Sequence, residues 1–257
     1  MRYGQVAVAV TYERVGACAV LTIDRPRHRN AVDGTTAEAL LDAYRTFEEE
    51  MEARVLVLTG AGEAAFCAGM DLKAMESLVA RVDAAEGPLG FTRLVPSKPT
   101  IAAVSGWCVA GGLELALWCD LRIAARNARF GCLERRFGVP LVDGGTQRLP
   151  RIVGLGRALD LALTGRVVDV TEALAMGLVT EVVPVGQHLT HALQVGELLA
   201  RWPQEALLAD RRAILAGLGR DLTEGLLLEA DVPPEVLDEA RRGAARFAAG
   251  EGRRGTL

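Results

Sequence analysis

Aromatic residues are scarce in this 257-residue chain, at 5% of the total. The core must therefore be filled mainly by Ala, Leu and Val. Histidine is rarer still: His28, His188 and His191 are the three, and they show no metal-ligand spacing. No CxxC pair occurs among the five cysteines, Cys18, Cys67, Cys108, Cys119 and Cys132. The odd number and the spacing argue against a disulfide framework or a zinc site and fit the reduced thiols of a cytoplasmic protein. No metal is expected. Neither sign of charge dominates, since 29 Lys and Arg face 33 Asp and Glu, a net charge of −4. That balance speaks against a nucleic-acid or anionic-membrane binder. Phosphate-loop, dinucleotide and GxSxG fingerprints are lacking. The opening MRYGQVAVAVTYERV is too short and too interrupted in its apolar stretch to read as a secretory signal. The run from Thr100 to Trp118 comes nearest to a membrane span, but it holds Ser105, three glycines and Glu114. It reads instead as a buried strand, a glycine turn and a buried helix.

What is present is globular. Half of the chain is hydrophobic, 24% is charged, and glycine is abundant at 28 residues. Alternating apolar residues at Val6, Val8 and Val10, then at Ala17, Ala19, Leu21 and Ile23, predict a hairpin with Glu13, Arg14 and Gly16 between the strands. A basic loop, DRPRHRNAVD, follows. Asp33 or Thr35 then caps a helix running to about Glu50. The runs Val55 to Gly60, PTIAAVSG and DLRIAA read as strands buried on both faces, and a short helix starts at Asp71. Residues 79–95 show no strong period and are expected to be mobile. From Gly144 the pattern is mostly helical, with one late strand at Val179 to Val183 and two or three amphipathic helices over 188–250. Strand, loop and helix alternate, which gives an α/β class.

Two glycine-bearing loops follow apolar strands. They are Phe66-Cys67-Ala68-Gly69-Met70-Asp71 and Ala110-Gly111-Gly112. Amides in the first turn of a helix lack intrahelical partners, so two such loops can converge into an oxyanion hole. The bland alternative is that the glycines only permit tight strand-to-helix turns. Three carboxylates stand nearby in sequence. Glu114 lies in an apolar helix, and its bland role is a buried ion pair with an arginine. Glu134 follows a further strand, and its bland role is a surface pair with Arg135 or Arg136. Asp143 precedes a helix start, and its bland role is an N-cap. Together beside an oxyanion site they would be acid/base machinery.

These pieces, taken in order, resemble the enoyl-CoA hydratase/isomerase family, also called the crotonase family. The resemblance is carried by DRPRHRNAVD (24–33), VLVLTG-x-G-x-x-AFCAGMDL (55–72), KPTIAAVSGWCVAGGLELALWCDLRIA (98–124), ARFGCLE (128–134), GGTQRLPRIVG (144–154) and TGRVVDVTEALAMGLVTEVVP (164–184). It implies a crotonase-like spiral of β-β-α units over 1–190 with a C-terminal helical region over 191–257. That region would pack on the core or on a neighbouring subunit of a homotrimer or homohexamer. The implied partner is an acyl-CoA thioester substrate, with coenzyme A entering only as part of it and no separate cofactor.

The oxyanion amides map to Met70 and Gly111. Ala68, Gly69, Met70, Asp71, Leu72 and Lys73 would line the coenzyme A side. Arg25, Arg27, His28 and Arg29 stand where CoA phosphates can be met. The two hydratase glutamates map to Glu114 and Glu134, and a place near a helix N-terminus favours an ionised Glu114. Hydratases commonly carry proline before the second glutamate, where this chain has Leu133, and small residues where it has Val142-Asp143. Dienoyl-CoA isomerases carry an aspartate at nearly that second place. The favoured expectation is water addition across C2=C3 of a 2-enoyl-CoA. The alternatives are an isomerase using Asp143 as a proton carrier and a non-catalytic acyl-CoA-binding homologue.

Overall fold

The computed structural model describes residues 9–251. Strands β1 (Val10–Val15) and β2 (Cys18–Ile23) form the expected hairpin, turning at Gly16 and setting Val10 opposite Ile23. Glu13 and Arg14 belong to β1 rather than to the turn, and both are exposed. An edge strand tolerates such charges because only one side of it is paired. Val6 and Val8 lie outside the described residues. Helix α1 (Gly34–Glu49) is capped as expected, with the Asp33 side chain accepting from the Thr36 N–H at 2.8 Å.

Three β-β units follow, each sending its first strand to one sheet and its second to another. They are β3 (Val55–Gly60) with β4 (Ala65–Cys67), β5 (Thr100–Val104) with β6 (Trp107–Val109), and β7 (Leu121–Ala125) with β8 (Arg129–Gly131). Short helix α2 (Met75–Val79) comes after the first unit, and α3 (Gly111–Trp118) after the second. Helices α4 (Gly145–Val153) and α5 (Leu155–Thr164) come after the third. Then come β9 (Val168–Asp169), α6 (Val170–Ala175), β10 (Glu181–Val183) and α7 (His188–Arg201). The large sheet runs β1-β2-β3-β5-β7-β10 and is parallel except for the β1 hairpin. Its inner strands are covered on both faces, which is why they read as unbroken apolar runs. The small sheet runs β4-β6-β8-β9. The expected late strand starts two residues later than Val179, at Glu181.

Residues 79–95 are not a loose excursion. Leu89, Phe91 and Thr92 are buried. The Phe91 ring lies 5.5 Å from Tyr44 and 4.5 Å from Trp118, centroid to centroid, and Trp118 Nε1 donates to the Leu94 carbonyl at 2.8 Å. The segment lacks period because it is held by ring packing and side-chain bonds, not by a helix or strand ladder.

Contacts divide the chain into two units, Met1–Glu197 and Leu198–Leu257. The division falls inside α7, later than the expected 190/191 boundary. The second unit contains α8 (Gln204–Gly217), α9 (Leu222–Ala230) and α10 (Pro234–Ala248). In it, α8 packs on both α9 and α10, and the Ala206 N–H donates to Glu239 at 2.9 Å. Ile214, Leu222, Leu227 and Phe247 of this unit are exposed. Among the described residues no helix is long and apolar enough to cross a membrane.

Candidate active site

Small-sheet strands β4 and β6 deliver the two loops to one place. After β4, the Val32 N–H donates to the Gly69 carbonyl and the Asp71 N–H donates to the Val32 carbonyl, each at 2.8 Å. In an extended chain successive amides point to opposite sides. The Met70 N–H therefore faces away from Val32, and no protein acceptor meets it among the described residues. After β6, the Ala110 N–H is taken by the Gly131 carbonyl at 2.9 Å. The next amide, Gly111, opens α3 and has no protein acceptor either. Ala110 holds φ 53° and ψ −131°, a conformation that a residue with a side chain seldom adopts. Gly69 sits at φ +88°, and a Cβ there would lie 2.6 Å from the Gly111 nitrogen. A side chain at 69 would thus cover one donor. The two loops touch, and their two open amides face one cavity.

That cavity has a volume of about 170 Å³ and is walled mainly by apolar side chains, among them Leu89, Val109, Leu133 and Val142. Ala68, Met70, Leu72 and Gly111 line it, as do all three expected carboxylates, Glu114, Glu134 and Asp143. Glu114 is not paired with an arginine. Its Oε1 accepts from the Asp143 N–H at 2.9 Å and from the Gly145 N–H at 2.7 Å. Burial, with Asp143 nearby, pushes its carboxyl up to about 8. Desolvation thus opposes the ionised state that the helix N-terminus favours, while the two N–H bonds act the other way.

Glu134 is not a surface residue. It is 7% exposed, and among the described residues neither carboxylate oxygen has a hydrogen-bond partner. Arg135 turns its Nε to the Ala162 carbonyl and Arg136 its Nη2 to the Gly165 carbonyl. Burial raises the Glu134 carboxyl despite the Arg135 charge. A buried acid with no protein partner is rare, and here it faces an open cavity. Asp143 does not cap α4. Gly144 is the N-cap residue, and no side chain caps there. Asp143 Oδ1 instead accepts from the Leu89 N–H at 3.0 Å and from the Thr92 hydroxyl. Its carboxyl is raised by burial.

The basic loop divides. Arg25 is turned inward, with Nη2 at 2.7 Å from Asp33 and 3.1 Å from Asp71, and Nη1 donating to the Ala31 carbonyl. Its guanidinium holds the loop to the Gly69–Asp71 turn. Asp71 also accepts from the Lys73 N–H at 3.2 Å and so starts the next turn of helix. Arg27, His28, Arg29 and Lys73 are exposed. Among the described residues, no three His, Cys, Asp or Glu side chains are grouped to hold a metal ion. Leu89 and Thr92 carry no motif in the sequence, and the strain at Ala110 is not visible in the Ala110-Gly111-Gly112 motif that holds it. Leu89 and Thr92 lie in the segment without period.

The enoyl-CoA hydratase/isomerase family model matches residues 13–252. The short-chain-enoyl-CoA hydratase of Clostridium acetobutylicum is 37% identical over 226 residues, covering 86% of this chain and 87% of that one. The crotonyl-CoA hydratase of Syntrophomonas wolfei has the same identity over the same length and coverage. A crystal structure of enoyl-CoA hydratase from Mycobacterium tuberculosis superimposes with a TM-score of 0.86 at 36% identity, over 94% of this chain and 96% of that one. With the family model matched over nearly the whole chain and relatives above 30% identity, the chain belongs to the enoyl-CoA hydratase/isomerase family.

The raised Glu114 carboxyl has a consequence for stability. A folded carboxyl near 8 against an ordinary value of 4.5 holds its proton more tightly in the native state. Its contribution is full below the unfolded value and is lost as pH rises through the folded one. Glu134 and Asp143 shift in the same direction. The Tm of the native chain is expected to fall between about pH 5 and about pH 8 more steeply than that of Glu114→Gln, whose amide oxygen still accepts both N–H groups. Equal slopes in thermal melts would show that Glu114 is not held protonated.

Proposed function

We propose that the chain is an enoyl-CoA hydratase. The observation that carries this reading is the pair of open amides at Met70 and Gly111 facing two buried glutamates across one apolar cavity. The thioester carbonyl oxygen accepts from both N–H groups. Negative charge grows on that oxygen as the enolate forms, so the donors bind the transition state more tightly than the substrate. Glu114, when ionised, takes a proton from water as the water oxygen attacks C3. Glu134 gives its proton to C2. The proton gained by Glu114 returns to Glu134 through solvent, and the sum is one water added across the double bond. Burial suits Glu134 to the acid role, since it raises the carboxyl and, among the described residues, no hydrogen bond ties either oxygen. Arg27 and Lys73, both exposed, are the proposed contacts for CoA phosphates, and Arg25 supports the loop beneath them.

The proposed assembly is a homotrimer or homohexamer in the cytoplasm. Its support is the set of apolar side chains, Ile214, Leu222, Leu227 and Phe247, left exposed by the C-terminal unit. Light scattering at micromolar concentration should give three or six times the chain mass; a monomer there contradicts the assembly. For the chemistry, Glu134→Gln should lower kcat on crotonyl-CoA by about 10²-fold or more. Near-native kcat in a folded Glu134→Gln would remove Glu134 from the mechanism.

A further inference from the structure

The wall of the cavity beside Gly111 comes from a segment that the sheets do not hold. Around Leu89 the chain runs through turns, and no strand ladder or helix fixes it. Three side chains tie it to the loop before α4. Asp143 Oδ1 accepts from the Leu89 N–H and from the Thr92 hydroxyl. Arg148 reaches both strips, with Nη1 on the Asp143 carbonyl at 2.9 Å and Nη2 on the Thr92 carbonyl at 2.6 Å. Arg93 donates to the Val142 carbonyl at 3.1 Å. Only the Asp143 bonds are made by a carboxylate, and they are buried. Charge-assisted bonds in a dry site are the strong ones.

What these ties hold in place matters. Leu89 is 1% exposed and lines the cavity. A Cβ on Gly111 would meet Leu89 Cδ1 at 2.7 Å, so this side chain lies against Gly111 beside its open amide. The same Asp143 residue, through its own N–H, holds the Glu114 carboxylate. One residue therefore fixes the base with its backbone and the cavity wall beside the oxyanion donor with its side chain.

We propose that Asp143 is a positioning residue that straps the segment around Leu89 over the acyl cavity and keeps wall, oxyanion donor and base in one register. Leu89 then shields the Gly111 amide from water, which keeps that donor strong. The substrate class that fits is a short, uncharged acyl group. The cavity is small and apolar, its charged lining residues are all acids, and no Lys or Arg faces into it among the described residues. The consequence for turnover rests on the hydratase reading above; the strap itself does not.

The test combines hydrogen–deuterium exchange over residues 87–93 with KM and kcat on crotonyl-CoA, using the full chain. Asp143→Ala removes both bonds. It should speed exchange at Leu89 and raise KM about tenfold, with a smaller loss in kcat. Asp143→Asn keeps an oxygen that accepts from both donors, so it should bring exchange and KM back to within about threefold of the native values. Thr92→Val removes one donor and should give an intermediate exchange rate, which covers the case of an unfolded Asp143→Ala. Unchanged exchange at Leu89 in the folded variants overturns the strap. So does a loss of about 10²-fold in kcat for Asp143→Asn with KM and exchange unmoved, because that is the mark of a proton carrier. Should the native chain not hydrate crotonyl-CoA, the exchange data still decide the strap while the hydratase reading alone falls.

Discussion

The Gly111 N–H is an open donor because Ala110 takes a backbone conformation that an alanine seldom holds. The strand β6 ends by giving the Ala110 N–H to Gly131, and the chain must then turn at once into α3. The positive φ at Ala110 makes that turn in one residue. A conformation of this kind is of order 1–3 kcal/mol unfavourable, and it persists only where its surroundings fix it. Here the β6–β8 pairing fixes one side and the buried α3 the other. The touching Gly69 turn then brings the Met70 amide alongside. Much of the site follows from this placement: α3 starts there, so Glu114 lies one turn further on and points into the same cavity.

Burial governs the acids in the same way. Each of the three carboxylates is raised by desolvation, but their partners differ. Glu114 is held by two N–H groups, Asp143 by an N–H and a hydroxyl, and Glu134 by no hydrogen bond among the described residues. Two acids in one cavity with different partners are what acid and base roles need. The arginines that follow Glu134 in sequence do not neutralise it, because the turn of 3-10 helix over Leu133–Phe137 directs them outward to carbonyls of Ala162 and Gly165.

Much of this was legible in the sequence, and the limits have physical causes. The large sheet reads directly, because strands buried on both faces are unbroken apolar runs. The small sheet does not: β4, β6 and β8 have three residues each, too short for any period to show. Glu134 was legible only by its spacing from Glu114 within the family pattern. Its neighbours Arg135 and Arg136 suggest a surface ion pair, and only the fold shows them turned away. Asp143 stood out for its place before a helix, which suggests a cap, yet its bonds run to Leu89 and Thr92, about 50 residues earlier in the chain. Long-range side-chain bonds of that kind leave no local pattern. Arg25 misleads similarly: a basic loop reads as a phosphate contact, while the guanidinium joins Asp33 and Asp71.

The central claim is that two backbone amides stabilise the thioester enolate, and Gly111→Pro tests it most directly. Proline is tolerated at the first position of a helix but removes the N–H and adds a Cβ against Leu89. Gly111→Ala, which adds the Cβ and keeps the N–H, is therefore the reference. With folding checked by circular dichroism, kcat on crotonyl-CoA should fall by about 10²-fold or more below that of Gly111→Ala. A folded Gly111→Pro chain with the kcat of Gly111→Ala would contradict the account.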